Sequence, residues 1–379
     1  MSDLLTYCRD HTGEMLDLLQ TLIAYESFTA EKAAVDRLAT YLAGQLEDLG
    51  AAVERIPRAE VGDILLARWN TDAPGKPITF IGHMDTVWPL GMLAERPIRI
   101  EDGRLYGPGA IDMKAGLAVM LSAIRVLRER GEFPERPIWA LLTSDEEIGS
   151  VHSREIILDV ARQSGLCLII EPATPQGALK TWRKGVADFQ VKVHGRASHA
   201  GGAPEAGINA VVELAHQILR LNALNDLPNG TSVSVTVVRG GHATNVIPDY
   251  AEAYADVRFL THAEAERVQR AVSELHPILP GAQLEIIAGD RRPPLERDER
   301  MRAAFAQAQR IGAGLGLSII EEGSGGGSDG NFTASVGTPT LDGMGPTGDG
   351  LHAVHENVLI SSIPEKTALL AAILQQWQM

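Results

Sequence analysis

Four short, predominantly apolar runs, at 64–66, 78–81, 138–142 and 166–170, lack the polar alternation of a strand with one wet face. Such runs suit strands of a sheet covered on both sides. Around them, apolar residues recur at helical spacing: Leu16, Leu19, Leu22 and Ile23, then Ala34, Val35, Leu38, Leu42 and Leu46, then Leu117, Leu121, Ile124 and Leu127. Helices alternating with buried strands predict an α/β fold.

From Gly185 the texture changes. Phe189, Val191 and Val193 alternate with Gln190, Lys192 and His194, and the same period returns in Val233, Val235 and Val237, in Ala253, Ala255, Val257 and Phe259, and weakly in Leu284 and Ile286. Helical patterns near 207–221 and 263–275 separate them, giving the β-α-β-β-α-β order of a ferredoxin-like split unit. The first texture resumes from about Pro294. At 379 residues the chain is too long for one ordinary core. The expected organisation is a catalytic domain formed by 1–182 and 293–379, with an α+β domain of 183–292 inserted.

Lysine and arginine number 34 against 49 acidic residues, a formal charge of −15 that repels a polyphosphate backbone. No apolar run approaches the length of a membrane span. Only Cys8 and Cys167 are present, and the N-terminus lacks the basic-then-apolar order of a secretory signal, so a cytoplasmic location is expected, with neither nucleic acid nor membrane as partner.

Polar chemistry gathers where apolar runs end, the usual place for sites in α/β sheets. His83 and Asp85 are two apart after the run at 78–81, a spacing that suits a ligand and its supporting carboxylate but equally a hydrogen-bonded turn. Asp112 precedes the helix expected from Lys114, where capping is the simpler role. Asp145, Glu146 and Glu147 follow the third run, and Glu171 the fourth; an acidic turn this dense is costly unless solvated or neutralised. His352 and His355 follow a glycine-rich loop, and either one suits a zinc site or an exposed turn. The stretch 323–330 lacks the Gly-Lys-Ser/Thr ending of a phosphate cradle; its glycines, Gly326 among them, are expected to let backbone approach a substrate closely.

Taken together, GHMDTVWP, YGPGAIDMKAG, SDEEIGS, IIEPA, GRASHAGGAPEAGINA, ATNVIPDYAEAYADVR, GGGSDGN and GLHAVHENV resemble, in order and over essentially the whole chain, the dinuclear zinc hydrolases that include glutamate carboxypeptidase, acetylornithine deacetylase and succinyl-diaminopimelate desuccinylase. The resemblance implies a mixed-sheet zinc hydrolase domain with an inserted lid and dimerisation domain. It implies two Zn2+ per subunit, with Co2+ or Mn2+ as possible substitutes. Asp112 would bridge them, with His83 and Glu171 on one side and Glu147 and His352 on the other. Asp85 would orient His83, and Glu146 would be the general base toward the attacking water. His352 is preferred to His355 because the family spacing places a glutamate four residues on, here Glu356.

In the insertion, the resemblance implies that His199 reaches the active site of a partner subunit in a homodimer and donates to the oxyanion. Asn245, Arg258 and Arg292 would hold substrate, arginine suiting a carboxylate through its planar fork; an ordinary strand-face ion pair is the competing role for Arg258. The motif set is most similar to the glutamate carboxypeptidase branch. That implies release of a C-terminal acidic amino acid from a short peptide or N-acyl conjugate. Small-molecule deacylation and a noncatalytic binding module are the alternatives.

Overall fold

The computed structural model describes residues 2–379, and the chain divides into two compact units. One comprises the residues up to Trp182 together with Glu296–Ser324 and Ser328–Met379; the other comprises Arg183–Leu295 and Gly325–Gly327.

The first unit is built on a six-stranded mixed sheet. Its strands are β1 (Ala52–Ile56), β2 (Ile64–Trp69), β3 (Ile78–His83), β4 (Ile138–Thr143), β5 (Leu166–Ile169) and the short Thr340–Leu341, in the spatial order β1-β2-β4-β3-β5 and then Thr340–Leu341. Each of the four apolar runs is a strand here, and Ile64, Ile78, Phe80, Ile138, Leu142, Leu166 and Leu168 are buried. Helices α1 (Thr12–Ala24), α2 (Lys32–Asp48) and α3 (Ala115–Glu129) supply Leu19, Leu22, Leu38, Leu42, Leu117 and Leu121 to the main core. Strands β3, β4 and β5 are parallel and in register, with His83 opposite Thr143 and Ile81 opposite Ile169. Residues at and just beyond their C-terminal ends are therefore brought to one edge of the sheet.

The second unit is an antiparallel sheet of β6 (Gly185–His194), β7 (Ser232–Gly240), β8 (Tyr250–Phe259) and β9 (Gln283–Arg292), ordered β7-β8-β6-β9, with helices α4 (Ala210–Asn222) and α5 (His262–Ser273). This is ferredoxin-like connectivity. Phe189, Val191, Val193, Ala253, Ala255, Val257 and Phe259 form its core with Leu214 and Val268. One expectation fails locally: a bulge between Val235 and Val237 breaks the alternation on β7, leaving Val237 exposed beside Val238. Arg183 and Leu295, the ends of the longer stretch of this unit, exchange backbone hydrogen bonds of 3.0 and 3.1 Å. Among the described residues no helix is long and apolar enough to cross a membrane.

Candidate metal centre

His83 is the last residue of β3 and is buried. Its Nδ1 lies 2.9 Å from the carbonyl oxygen of Asp85, which can only accept, so Nδ1 carries the proton. Nε2 then faces Asp112 Oδ1 at 3.2 Å and Glu171 Oε1 at 3.4 Å. In a neutral ring that nitrogen is a lone pair among carboxylates, an arrangement that only a proton or a cation between them satisfies.

Asp112 does not cap α3; its amide lies in an irregular turn before the helix, and its second oxygen, Oδ2, is 3.2 Å from His352 Nε2. The same nitrogen of His352 is 3.2 Å from Glu147 Oε2. The Asp112 carboxylate thus lies between the two imidazoles. His352 has a left-handed backbone, φ +58°, uncommon for a residue with a side chain and typical of positions held by function. His352 and His355 are both exposed, and it is His352 that makes the ion pairs with Asp112 and Glu147.

The three consecutive acids are separated by a short turn. Asp145 faces inward, accepting from His152 N–H at 2.6 Å, while ligand atoms of Glu146, His83 and Glu171 fall within 4.8 Å of one another, as do those of Glu147, His83 and Asp112. Asp85 does more than orient one ring. One carboxylate oxygen, Oδ1, lies 3.4 Å from His83 Nδ1, but the pair of oxygens also accepts the Glu146 and Glu147 amides at 3.3 Å each and the Thr29 hydroxyl at 2.8 Å. One buried residue therefore sets both the ring of His83 and the turn that carries two glutamates.

The electrostatics express a cluster short of positive charge. Burial opposes protonation of His83, yet hydrogen bonds to Asp112, Asp85 and Glu171 outweigh it and hold the ring's pKa well above the ordinary histidine value. Asp112 and Glu147 lift His352 to about 10. Burial works against ionised Asp112, but the two imidazoles hold its carboxyl below the usual carboxylate range. Glu147 is raised, first by burial and further by the charge of Asp112. Its Oε1 is buried with no hydrogen-bond partner, an unsatisfied acceptor at the heart of the cluster. Nitrogen and carboxylate donors without thiolate, two open acceptor sets and an orphaned carboxylate oxygen fit hard or borderline divalent cations such as zinc.

The remaining sequence candidates lie in the second unit. His199 is exposed on a two-residue strand, Ser198–His199, paired with Val246–Ile247, and the Asn245 carbonyl accepts from Ala200 N–H at 2.9 Å. His199 Nδ1 accepts the Gly201 and Gly202 amides at 3.2 and 2.9 Å, which leaves the ring proton on Nε2. Arg258 and Arg292 stand opposite Val186 from either side, one row of the sheet. The Arg258 guanidinium is already engaged by Asp256 of its own strand at 2.8 to 3.1 Å, the ion pair foreseen as its competing role. Gly326 presents its carbonyl to Arg183 Nη1 at 3.2 Å, and Gly327 passes so close to Arg292 that a Cβ would sit 2.7 Å from its Cδ.

A residue that spacing alone had marked proves central. Glu356 is fully buried and accepts from the Ile111, Asp112 and Gly109 amides and from Trp88 Nε1. The sequence signal was its place four residues after His352.

Comparison with known proteins gives the family of the chain. The model of peptidase family M20/M25/M40 matches residues 79–376. Carboxypeptidase G2 of a Pseudomonas species is 32% identical over 375 residues, covering 96% of this chain and 89% of that protein. A succinyl-diaminopimelate desuccinylase of Delftia acidovorans is 29% identical over 389 residues, covering 96% and 98%. Among solved structures, aminopeptidase PepT from Bacillus cereus superposes with a TM-score of 0.78 at 24% identity, covering 96% of this chain and 98% of that one, a likeness of fold. With the buried His83, Asp112 and Glu171 clustered beside Glu147, the chain belongs to peptidase family M20/M25/M40 and is a metal-dependent amide hydrolase.

Proposed function

We propose that the chain is a two-zinc carboxypeptidase-like enzyme that releases a C-terminal acidic amino acid from a short peptide or N-acyl conjugate. The observation that carries the metal assignment is the division of Asp112, one oxygen toward His83 and the other toward His352. His83 and Glu171 would hold one ion with it, Glu147 and His352 the other. Bound zinc supplies a Lewis acid that acidifies water and polarises the scissile carbonyl.

The chain's own residues do the rest. Glu146 takes a proton from the attacking water and returns it to the leaving nitrogen. Asp85 fixes the Glu146 turn through two backbone amides, so the base and the neighbouring ligand keep separate directions. His199, with its proton on Nε2, presents a donor suited to the developing oxyanion. Arg258, Arg292 and Asn245 would hold the substrate carboxylate with close approach at Gly326, Arg258 exchanging Asp256 for substrate.

The insertion supports a homodimer. Strand β7 is an edge of its sheet, Val238 on it is 55% exposed and Leu219 on α4 is 68% exposed, a strand and helix that invite a second copy. Both cysteines are buried and unbridged, consistent with a cytoplasmic enzyme.

A panel of N-acyl glutamates, glutamyl conjugates, acetylornithine and succinylated diamines tests the reading. Glutamyl amides are expected to be the best substrates, with activity abolished by chelator and restored by zinc; E146Q is expected to lose about 10²- to 10⁴-fold in kcat while keeping its metal. Preference for succinylated diamines would favour the deacylase reading that the desuccinylase relatives support. Full turnover by E146Q would remove the base.

A further inference from the structure

The loop that carries Asp112 has little regular hydrogen bonding of its own. Gly109 is left-handed at φ +70°, and Asp112 itself lies outside helical geometry at φ −115°, ψ 95°. Backbone amides in such a segment need partners from elsewhere. Four donors converge on one carboxylate: Glu356 Oε1 accepts from Ile111 N–H at 2.9 Å and Asp112 N–H at 3.2 Å, and Oε2 accepts from Gly109 N–H at 2.9 Å and Trp88 Nε1–H at 2.6 Å.

Glu356 also ends the turn that carries His352. Ala353 N–H bonds to Gly350 O at 2.8 Å and Glu356 N–H to Ala353 O at 3.0 Å, while the Glu356 carbonyl receives Gly107 N–H at 3.4 Å. Gly350, at φ +76°, leaves no space for a side chain, since a Cβ would lie 2.8 Å from the Glu356 nitrogen. Arg96 closes the outside, stacked 4.2 Å over Trp88 with Nη2 donating to Ala353 O at 3.3 Å. The side chain and backbone of one residue thus register two loops, and those loops bring Asp112 and His352 within 3.2 Å of each other.

We infer that Glu356 is a positioning residue for the metal centre: a carboxylate clasp that accepts from four donors, locks the Asp112 loop to the His352 loop and so sets the spacing of the two ligands. The inference rests on the assignment of Asp112 and His352 as ligands. Only a carboxylate suits all four donors, because it offers about four acceptor directions and no hydrogen. A glutamine of the same shape would turn an amide N–H2 against either the Ile111 and Asp112 amides or the Gly109 amide and Trp88.

The test is metal binding by metal-free protein, measured by chelator competition with Zn2+ and by the visible spectrum of the Co2+ form, neither of which depends on turnover. E356Q is expected to melt as a folded protein, to bind metal ~10- to 100-fold more weakly, and to show an altered Co2+ spectrum, as for other residues that orient ligands. W88F removes one of the donors that an amide would oppose, so E356Q/W88F is expected to bind metal more tightly than E356Q. E356D keeps the charge on a shorter stem and is expected to weaken binding too, which preserves the test if E356Q does not fold. Folded E356Q or E356D with wild-type metal affinity and Co2+ spectrum overturns the clasp. D112A separates the two levels: unchanged metal binding there refutes the ligand assignment, whereas loss in D112A with none in E356Q refutes the clasp alone.

Discussion

Two histidines three positions apart illustrate how chemistry can be specific where sequence is ambiguous. His352 and His355 share a glycine-marked loop, and local composition treats them alike. Both are exposed, but the fold brings Nε2 of His352 within 3.2 Å of both Asp112 and Glu147. H352A is therefore expected to lose metal stoichiometry and at least about 100-fold in activity, in line with removal of a ligand or its support, while H355A stays within about twofold. Metal analysis of the two purified variants checks this, and equal loss in both would reverse the assignment. Asp112 teaches the complementary lesson. Capping is the common fate of an aspartate before a helix, but here Glu356, 244 positions away, accepts the backbone amides of its turn and the aspartate side chain is left for the histidines. No local pattern carries that information.

At the scale of elements, more was legible. Predominantly apolar runs became buried strands and the 3.6-residue spacing became α1, α2 and α3, because burial on two faces and burial on one stripe leave different periods in the sequence. The bulge in β7 was not legible, since Val237 continues the alternation perfectly and only the pairing with β8 displaces it. Nor did the hydrophobic pattern reveal how tightly α3 sits against the sheet. Gly116 in its first turn lies against the Ile170 carbonyl, and an added Cβ there would collide with that oxygen. The helix comes just after Asp112 and the strand just before Glu171, so this approach sets the gap between two candidate ligands. G116A is expected to cost about 1–3 kcal/mol by overpacking and to weaken metal binding together with stability. Urea melts and zinc titration of the variant would show it; an alanine accommodated without either change would mean the gap is set elsewhere.

For the whole molecule, acid sensitivity and association are the properties to measure. Asp63 is the hub of an ion-pair network, 2.7 Å from both Lys32 and Arg55 and accepting the Arg58 amide. Burial opposes its charge, but these partners prevail and its pKa falls to about 2. A carboxyl depressed on folding contributes stability that is complete above its unfolded value and lost as pH falls through its folded value. Wild type is expected to exceed D63N by on the order of 1–2 kcal/mol at neutral pH, the advantage fading from about pH 4 toward pH 2. A pH-independent difference would exclude linkage. In association, V238K and L219K are expected to yield monomers by sedimentation, with activity lost alongside if His199 serves a partner; fully active monomers would make each chain self-sufficient. The reciprocal bonds between Arg183 and Leu295 have a consequence of another kind. A segment that enters and leaves through adjacent residues can be excised or exchanged like a cassette, spliced across a doorway one hydrogen-bonded pair wide. Recombination at that doorway would replace the whole stretch between Arg183 and Leu295 while His83, Asp112, Glu147, Glu171 and His352, all encoded outside it, pass unaltered to the descendant.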